Sequence, residues 1–205
     1  MKAFRNSRFI KKSFDIIVVL VALIITSPLF LVIVVLIKMD SKGPVFFIQE
    51  RVGKNGKKFK FLKFRSMAQE TPDTGIEDIA EENLYITHVG KFLREWTLDE
   101  LPQLFNILKG EMSLVGPRPL PDHQFKDEKM QKLWQKRISI KPGLVSMGDA
   151  KGRNLIPWEK RFEYDSWYID HQSFGLDLKI LVLVFFAVLS RKGVYGDNEA
   201  NKLPK

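Results

Sequence analysis

The stretch FDIIVVLVALIITSPLFLVIVVLI, Phe14 to Ile37, decides how this chain is organised. Only Asp15, Thr26, Ser27 and Pro28 interrupt its apolar run. As a helix rising 1.5 Å per residue, these roughly 24 positions reach about 36 Å, enough to cross a hydrocarbon core. The run is too long for a cleavable leader, and no small-x-small cleavage site follows it. By length alone it reads as a single-pass anchor. Two features read instead as a helix that dips into the bilayer and returns. Pro28 removes a backbone hydrogen bond and crowds the preceding turn, so a sharp kink is expected at Ser27-Pro28. Both flanks are also basic: Lys2, Arg5, Arg8, Lys11 and Lys12 before, and Lys38, Lys42, Arg51, Lys54, Lys57 and Lys58 after. Basic flanks stay in the cytoplasm, and a straight span would carry one of them across. On the residues alone, both topologies stand.

The whole chain has 205 residues, a formal charge of +9 and a pI near 9.6. That length suits one modest core, and the charge favours anionic partners: phosphates, acidic headgroups or nucleic acid. The absence of cysteine excludes disulfides and thiolate metal sites. His88, His123 and His171 lack ligand spacing.

Beyond the apolar run, Gly43-Pro44 marks its exit. Val45–Val52 and Lys57–Arg65 read as two strands around the turn Gly53-Lys54-Asn55-Gly56. In the second strand Lys58 and Lys60 alternate with Phe59 and Phe61. The phase then shifts at Lys63 and Arg65, which predicts a bulge or the end of the strand. These cations read either as a solvated edge or as a phosphate or headgroup surface. Gln69–Asn83 is acidic and turn-rich, with a short helix expected near Ile76–Asn83.

Arg94–Gly110 carries the chemistry. Leu101, Leu104, Phe105 and Leu108 recur at helical spacing, and Gly110 is a C-terminal stop. Thr97-Leu98-Asp99-Glu100 matches a capping box, whereas a start at Asp99 would put Pro102 harmlessly in the first turn. Either register leaves Asp99 near a helix N-terminus, where an ionised carboxylate is favoured and phosphate attracted. Taken alone, Asp99 and Glu100 read as caps. In Gly116-Pro117-Arg118-Pro119 the prolines hold Arg118 extended, which suits bidentate phosphate binding as well as it suits a rigid surface turn. Lys151-Gly152-Arg153-Asn154 is a basic turn. Trp158–Tyr168 mixes aromatic and charged residues. Leu176–Leu189, broken by Asp177 and Lys179, is short for a span and is expected to lie buried or along the membrane interface. The tail after Gly193 is polar.

Taken together, these pieces resemble the small monotopic phosphoglycosyl transferases of the bacterial sugar transferase family. The resemblance rests on the apolar segment with Ser27-Pro28, Gly43-Pro44-Val45-Phe46-Phe47, Lys63-Phe64-Arg65-Ser66-Met67, Leu98 through Asn106, and Gly116-Pro117-Arg118-Pro119, in the family's order. It implies an α/β fold: a mostly helical catalytic domain with a short β-hairpin, anchored by an N-terminal re-entrant membrane helix-break-helix. Residues 1–42 would form the basic N-terminus and membrane helix, 43–192 the cytoplasm-facing catalytic domain with interfacial helices, and 193–205 a polar tail.

The implied reaction moves a sugar-1-phosphate from a UDP-sugar to undecaprenyl or another polyprenyl phosphate, through an aspartyl-phosphosugar. It would begin glycoconjugate or polysaccharide assembly at the cytoplasmic face of the bacterial inner membrane. The resemblance assigns Asp99 as nucleophile, Glu100 as its dyad partner, and both as ligands of Mg²⁺. Lys63, Arg94, Arg118 and Arg153 fall at basic positions near phosphate groups, and Asp177 is paired with the same centre. UDP-linked N-acetylated amino sugars are the first expectation and UDP-hexoses the second. One departure stands out: Pro142-Gly143-Leu144-Val145-Ser146-Met147-Gly148-Asp149-Ala150 replaces a Pro-Gly-Ile-Thr-Gly-Leu type stretch. Two rival readings remain: a basic membrane-anchored binding protein without catalysis, and a transferase working by direct attack in a ternary complex. Nucleic acid is not expected as a partner, because no reading motif is present.

Overall fold

The computed structural model describes residues 2–68, 85–122, 127–191 and 193–194, with side chains described from Phe9 onward. The acidic loop and short helix expected over Gln69–Asn83, His123, and the tail beyond 194 lie outside the described residues.

Helix α1 runs from Lys2 to Asp40 with Pro28 inside it. Proline deprives the Ile24 carbonyl of its N–H partner. The Ser27 hydroxyl donates to that same carbonyl at 2.9 Å, and Thr26 donates to Ala22 O at 2.7 Å. The segment Phe9–Asp40 is long and apolar enough to cross a membrane. It is nevertheless tied to the rest of the protein on both sides of the proline. Val19 enters the main core with Phe59, Phe61, Leu104, Ile107, Tyr168 and Ile180. Ile33 and Ile37 enter a second core with Phe64 and Leu93. Full burial of each such side chain contributes about 1.5–3 kcal/mol.

The far end of α1 is closed by charge. Arg65 donates to Lys42 O at 2.9 Å and Ser41 O at 2.7 Å, a cation placed where the helix dipole is negative. Asp40 Oδ2 accepts from the Val89 N–H at 2.9 Å, at the start of α2 (His88–Glu95).

The hairpin forms as expected, with β1 at Phe46–Val52 and β2 at Lys58–Phe64 in antiparallel register from Phe46↔Phe64 to Val52↔Lys58. Its turn works because Asn55 and Gly56 accept left-handed φ values of 58° and 76°. The pairing is unbroken to Phe64, so the phase shift marks the strand's end and not a bulge. Phe59 and Phe61 point inward and Lys63 shares their parity, while Phe64 is buried on the other face against Phe30 and Phe46.

A second sheet was not anticipated. In it β3 (Ser113–Val115) pairs in parallel with β4 (Gly143–Val145). A side chain at Gly143 would lie 2.1 Å from Gly116 N, so this close approach requires glycine. The remaining helices are α3 (Gln103–Leu108), α4 (Glu128–Arg137), α5 (Met147–Lys151), α6 (Trp158–Asp170) and α7 (Phe174–Leu189). Helix α7 is two-sided: Asp177, Ile180 and Val184 face inward, whereas Val182, Phe185, Phe186 and Leu189 are exposed. The architecture is therefore mostly helical, with a small antiparallel hairpin and one long apolar N-terminal helix.

Candidate active site

The Thr97–Glu100 segment is not a capping box. Thr97 has φ 58° and ψ 20°, a left-handed conformation that costs a β-branched residue about 1–3 kcal/mol. Its hydroxyl makes no cap; it accepts from an Arg153 terminal nitrogen at 2.7 Å. Leu98–Glu100 forms a tight 3₁₀ turn, and α3 begins only after Pro102, whose missing N–H therefore costs nothing. Asp99 and Glu100 are thus delivered, both buried, by a strained turn just ahead of a helix.

Their surroundings differ. Glu100 Oε1 accepts from Arg118 at 2.6 Å and from Lys63 at 2.9 Å. Burial alone would raise the pKa of Glu100, but Arg118 and Lys63 outweigh it and hold the group well below the usual carboxylate range. Among the described residues Asp99 has a single long contact, 3.5 Å from Lys63 Nζ to Oδ2. Its pKa is raised, chiefly by burial and further by the negative charge of Glu100, with Lys63, Arg94 and Arg118 pulling the other way. One carboxylate is locked in an ion-pair network and the other is held loosely beside it.

Each cation arrives from a different element. Lys63 projects from the inner face of β2, which the side chain of Asn106 grips: its amide donates to Lys60 O at 2.7 Å and its oxygen accepts from Leu62 N at 3.2 Å. Arg94 comes from α2 and donates to Ser66 Oγ at 3.0 Å. Helix α2 can lie this close because Gly90 faces Ser66, where an added Cβ would meet a carbonyl at 2.0 Å.

Arg118 sits on the loop after β3. Pro117 and Pro119 offer no N–H, so the loop is held largely by its carbonyls: Pro117 O accepts from Gly143 N, Pro119 O from Arg51, and Leu120 O from Val52 N. Glu100 raises the pKa of Arg118, which stays fully charged. Arg153, left-handed at φ 56°, follows Gly152, and among the described residues one of its terminal nitrogens is buried with no hydrogen-bond partner. Lys63, Arg94, Arg118 and Arg153 all lie close enough to act electrostatically on Asp99, and Lys63, Arg118 and Arg153 on Glu100 as well.

Asp177 does not join them. Its oxygens accept from Lys11 and from the Tyr168 hydroxyl, both at 2.6 Å, in a separate buried network at the base of α1. Among the charged neighbours that were missed are Arg51 and Asp149. Arg51 of β1 lies opposite Phe59 and shares its inward face. Burial and the nearby Arg118 lower its pKa to about 10. Asp149 lies in the departing loop, and the signal there was Ser146-x-x-Asp149, a true capping box. The Ser146 hydroxyl accepts from Asp149 N at 3.1 Å, and Asp149 Oδ2 accepts from Ser146 N at 2.8 Å. The charge of Asp149 acts on both Arg118 and Arg153.

A buried carboxylate pair ringed by four cations, on a helical domain with a membrane-length apolar helix, defines a membrane-associated enzyme acting on anionic groups. The chain belongs to the bacterial sugar transferase family, whose family model matches residues 6–191. It is 40% identical over 191 residues to the uncharacterized sugar transferase EpsL of Bacillus subtilis, covering 92% of each chain. It is 42% identical to the UDP-glucose:undecaprenyl-phosphate glucose-1-phosphate transferase of Klebsiella pneumoniae, covering 90% of this chain and 41% of that one. It is 37% identical to the undecaprenyl-phosphate galactose phosphotransferase of Salmonella typhimurium, covering 93% of this chain and 43% of that one. The chain therefore spans nearly all of EpsL but about two-fifths of the two relatives named for a reaction.

Proposed function

We propose that this protein transfers a sugar-1-phosphate from a UDP-sugar to polyprenyl phosphate by way of a covalent intermediate on Asp99. The observation that carries this reading is the unequal carboxylate pair: among the described residues Glu100 is bound by Arg118 and Lys63, and Asp99 is left with one 3.5 Å contact. A carboxylate without close partners keeps its lone pairs for attack.

In the first half, an Asp99 oxygen attacks the phosphorus that bears the sugar. The bond from that phosphorus to the bridging oxygen breaks, and UMP departs with the electron pair. In the second half, a phosphate oxygen of the lipid attacks the same phosphorus and the Asp99 oxygen–phosphorus bond breaks. Polyprenyl-diphosphate-sugar leaves, and Asp99 is again a free carboxylate. Lys63, Arg94, Arg118 and Arg153 offset the charge that gathers when an anion attacks a diphosphate. A buried terminal nitrogen of Arg153 has no hydrogen-bond partner among the described residues, so its donor capacity is unspent.

Among the described residues no group of three or more candidate metal ligands stands together. Mg²⁺ commonly takes one or two carboxylates and completes its shell with phosphate oxygens and water, so Asp99 and Glu100 fit such an ion. Bound there, it would screen the diphosphate from the attacking carboxylate.

The same reading places the site at the cytoplasmic surface of the bilayer, with α1 entering and leaving on one side. The attachment of both halves of α1 to one catalytic domain supports this. Cysteines introduced at Lys2 and Lys42 should both resist an impermeant reagent applied outside intact cells. Labelling of one alone would establish a true span.

For the reaction, the enzyme is incubated with Mg²⁺ and UDP-glucose, UDP-galactose or UDP-N-acetylgalactosamine, without lipid. One of these should release up to one UMP per active site and leave a sugar phosphate on the protein, which undecaprenyl phosphate then discharges. UMP release only when both substrates are present would favour direct attack by the lipid, and no release under any condition would favour a binding protein.

A further inference from the structure

Arg137 and Asp165 form an ion pair to which the chemistry above gives no task. Arg137 ends α4, and Asp165 lies within α6. They are 3% and 2% exposed, with Arg137 Nε 3.0 Å from Asp165 Oδ2. The guanidinium lies over the Phe162 ring at 4.0 Å from its centroid and 6.0 Å from that of Trp134. A clamp between two helices would need no charge, since well-packed apolar side chains hold such an interface at least as well as a buried pair.

The remaining contact gives the charge a purpose. An Arg137 terminal nitrogen donates to the backbone carbonyl of Arg118 at 2.7 Å. The neighbouring carbonyls of Pro117 and Pro119 fix the loop from outside, and the bond to the Arg118 carbonyl is the one made at the residue whose side chain meets Glu100. Asp165 Oδ2 makes an ion contact with the Nε edge of the guanidinium, short of an aligned hydrogen bond, and a terminal nitrogen on another edge reaches the carbonyl.

We propose that Arg137, aligned by Asp165, is a positioning residue that sets the direction of Arg118 toward Glu100 and the substrate diphosphate. This rests on the reading of Arg118 as a phosphate-binding group. A planar guanidinium can serve the carboxylate and the carbonyl at once, with its flat face packed on Phe162. A lysine has one nitrogen to divide between them.

The test replaces the pair by apolar side chains of similar shape, Arg137→Met with Asp165→Leu, and repeats the replacement in an Arg118→Ala background. The readout is kcat/KM for UMP release from whichever UDP-sugar the screen above identifies, together with the thermal midpoint of unfolding. Because misplacing a reacting group by about 1 Å costs on the order of 10²-fold, the pair replacement should lower kcat/KM by about 10- to 100-fold with the midpoint retained. In the Arg118→Ala background it should cost almost nothing further, because the residue it acts through is gone. Equal losses in both backgrounds would overturn the proposal, as would parent-like rates after the pair replacement.

If the pair replacement does not fold, Arg137→Lys carries the same comparison, with a smaller loss expected in the parent and none with Arg118→Ala. Parent-like rates in Arg118→Ala alone would overturn both this inference and the role of Arg118 in the proposed reaction. A loss there, with parent-like rates after the pair replacement, would overturn only the inference.

Discussion

Two of the buried carboxylate–cation clusters, one at the base of α1 and one around Asp99 and Glu100, differ in how completely they are satisfied. At the base of α1, Asp177 has one oxygen on Lys11 and the other on Tyr168, while Asp15 accepts from Ser113 at 2.6 Å. Around Asp99 and Glu100 the accounts do not close: Asp99 keeps one long contact, and Arg153 has a buried nitrogen without a partner among the described residues. Burial of charge therefore does not by itself mark a reactive centre. The saturated cluster joins α1 to the catalytic domain. The other leaves Asp99 loosely held, and its strained Thr97 is a further cost that the fold sustains there.

The largest effect should come from removing the loosely held carboxylate. Asp99→Asn keeps the shape of the side chain but not its charge, and a neutral amide cannot form the phosphosugar. UMP release should fall on the order of 10⁴-fold or more, with no adduct detectable by mass spectrometry of the intact protein. Full activity in Asp99→Asn would show that the open cluster is not the nucleophile's site.

Next in size is Arg118→Ala, which removes a donor at a place of developing charge and should cost on the order of 10²-fold in turnover. Arg118→Lys should recover part of that, since a point charge cannot reproduce the fork. Glu100 would also lose its 2.6 Å partner.

Several of these features were readable in the sequence because they are local. Gly53-Lys54-Asn55-Gly56 specifies its turn within four residues, and Asp99-Glu100 sits in an uninterrupted motif. The parallel pairing of β3 with β4 was not readable, since three-residue strands carry too little alternation and the pairing joins Ser113 to Gly143 across an intervening helix. Asp177 was misplaced for a related reason. An acidic residue in an apolar helix signals a buried partner, but local pattern cannot say that the partner is Lys11, at the other end of the chain. Arg51 was not readable either: counting outward from a four-residue turn at Gly53–Gly56 pairs it with Lys58, whereas Gly53 in fact pairs with Lys57 and the register shifts by one, to Phe59.

The saturated cluster gives the converse prediction. Removing one member of a buried ion pair leaves the other uncompensated and typically costs about 3–5 kcal/mol. Asp177→Ala should therefore lower the thermal midpoint measurably, while turnover per burst-competent molecule stays close to the parent's. A fall of that turnover to the level of Arg118→Ala, with the midpoint unmoved, would restore Asp177 to the reactive centre.

The smallest effect is the most specific to the open cluster. Asp99 must be ionised to attack, and burial raises its pKa with Lys63 opposing the rise. As pH falls through that raised value, Asp99 takes up a proton and the rate declines, so the acid limb of kcat/KM for UMP release should lie above the pH expected of an ordinary aspartate. Glu100 should not contribute a limb in that range, because Arg118 and Lys63 keep it ionised. Lys63→Met keeps the aliphatic stem and deletes the charge that stabilises the Asp99 anion. Its rate should drop at every pH, but the informative quantity is the position of the limb, which should move to higher pH. Lys11→Met removes a cation from the saturated cluster and should leave the limb where it was. A limb that stays fixed in Lys63→Met, or moves to lower pH, would mean that the titrating group is not Asp99, and the two clusters would have to be told apart on other grounds.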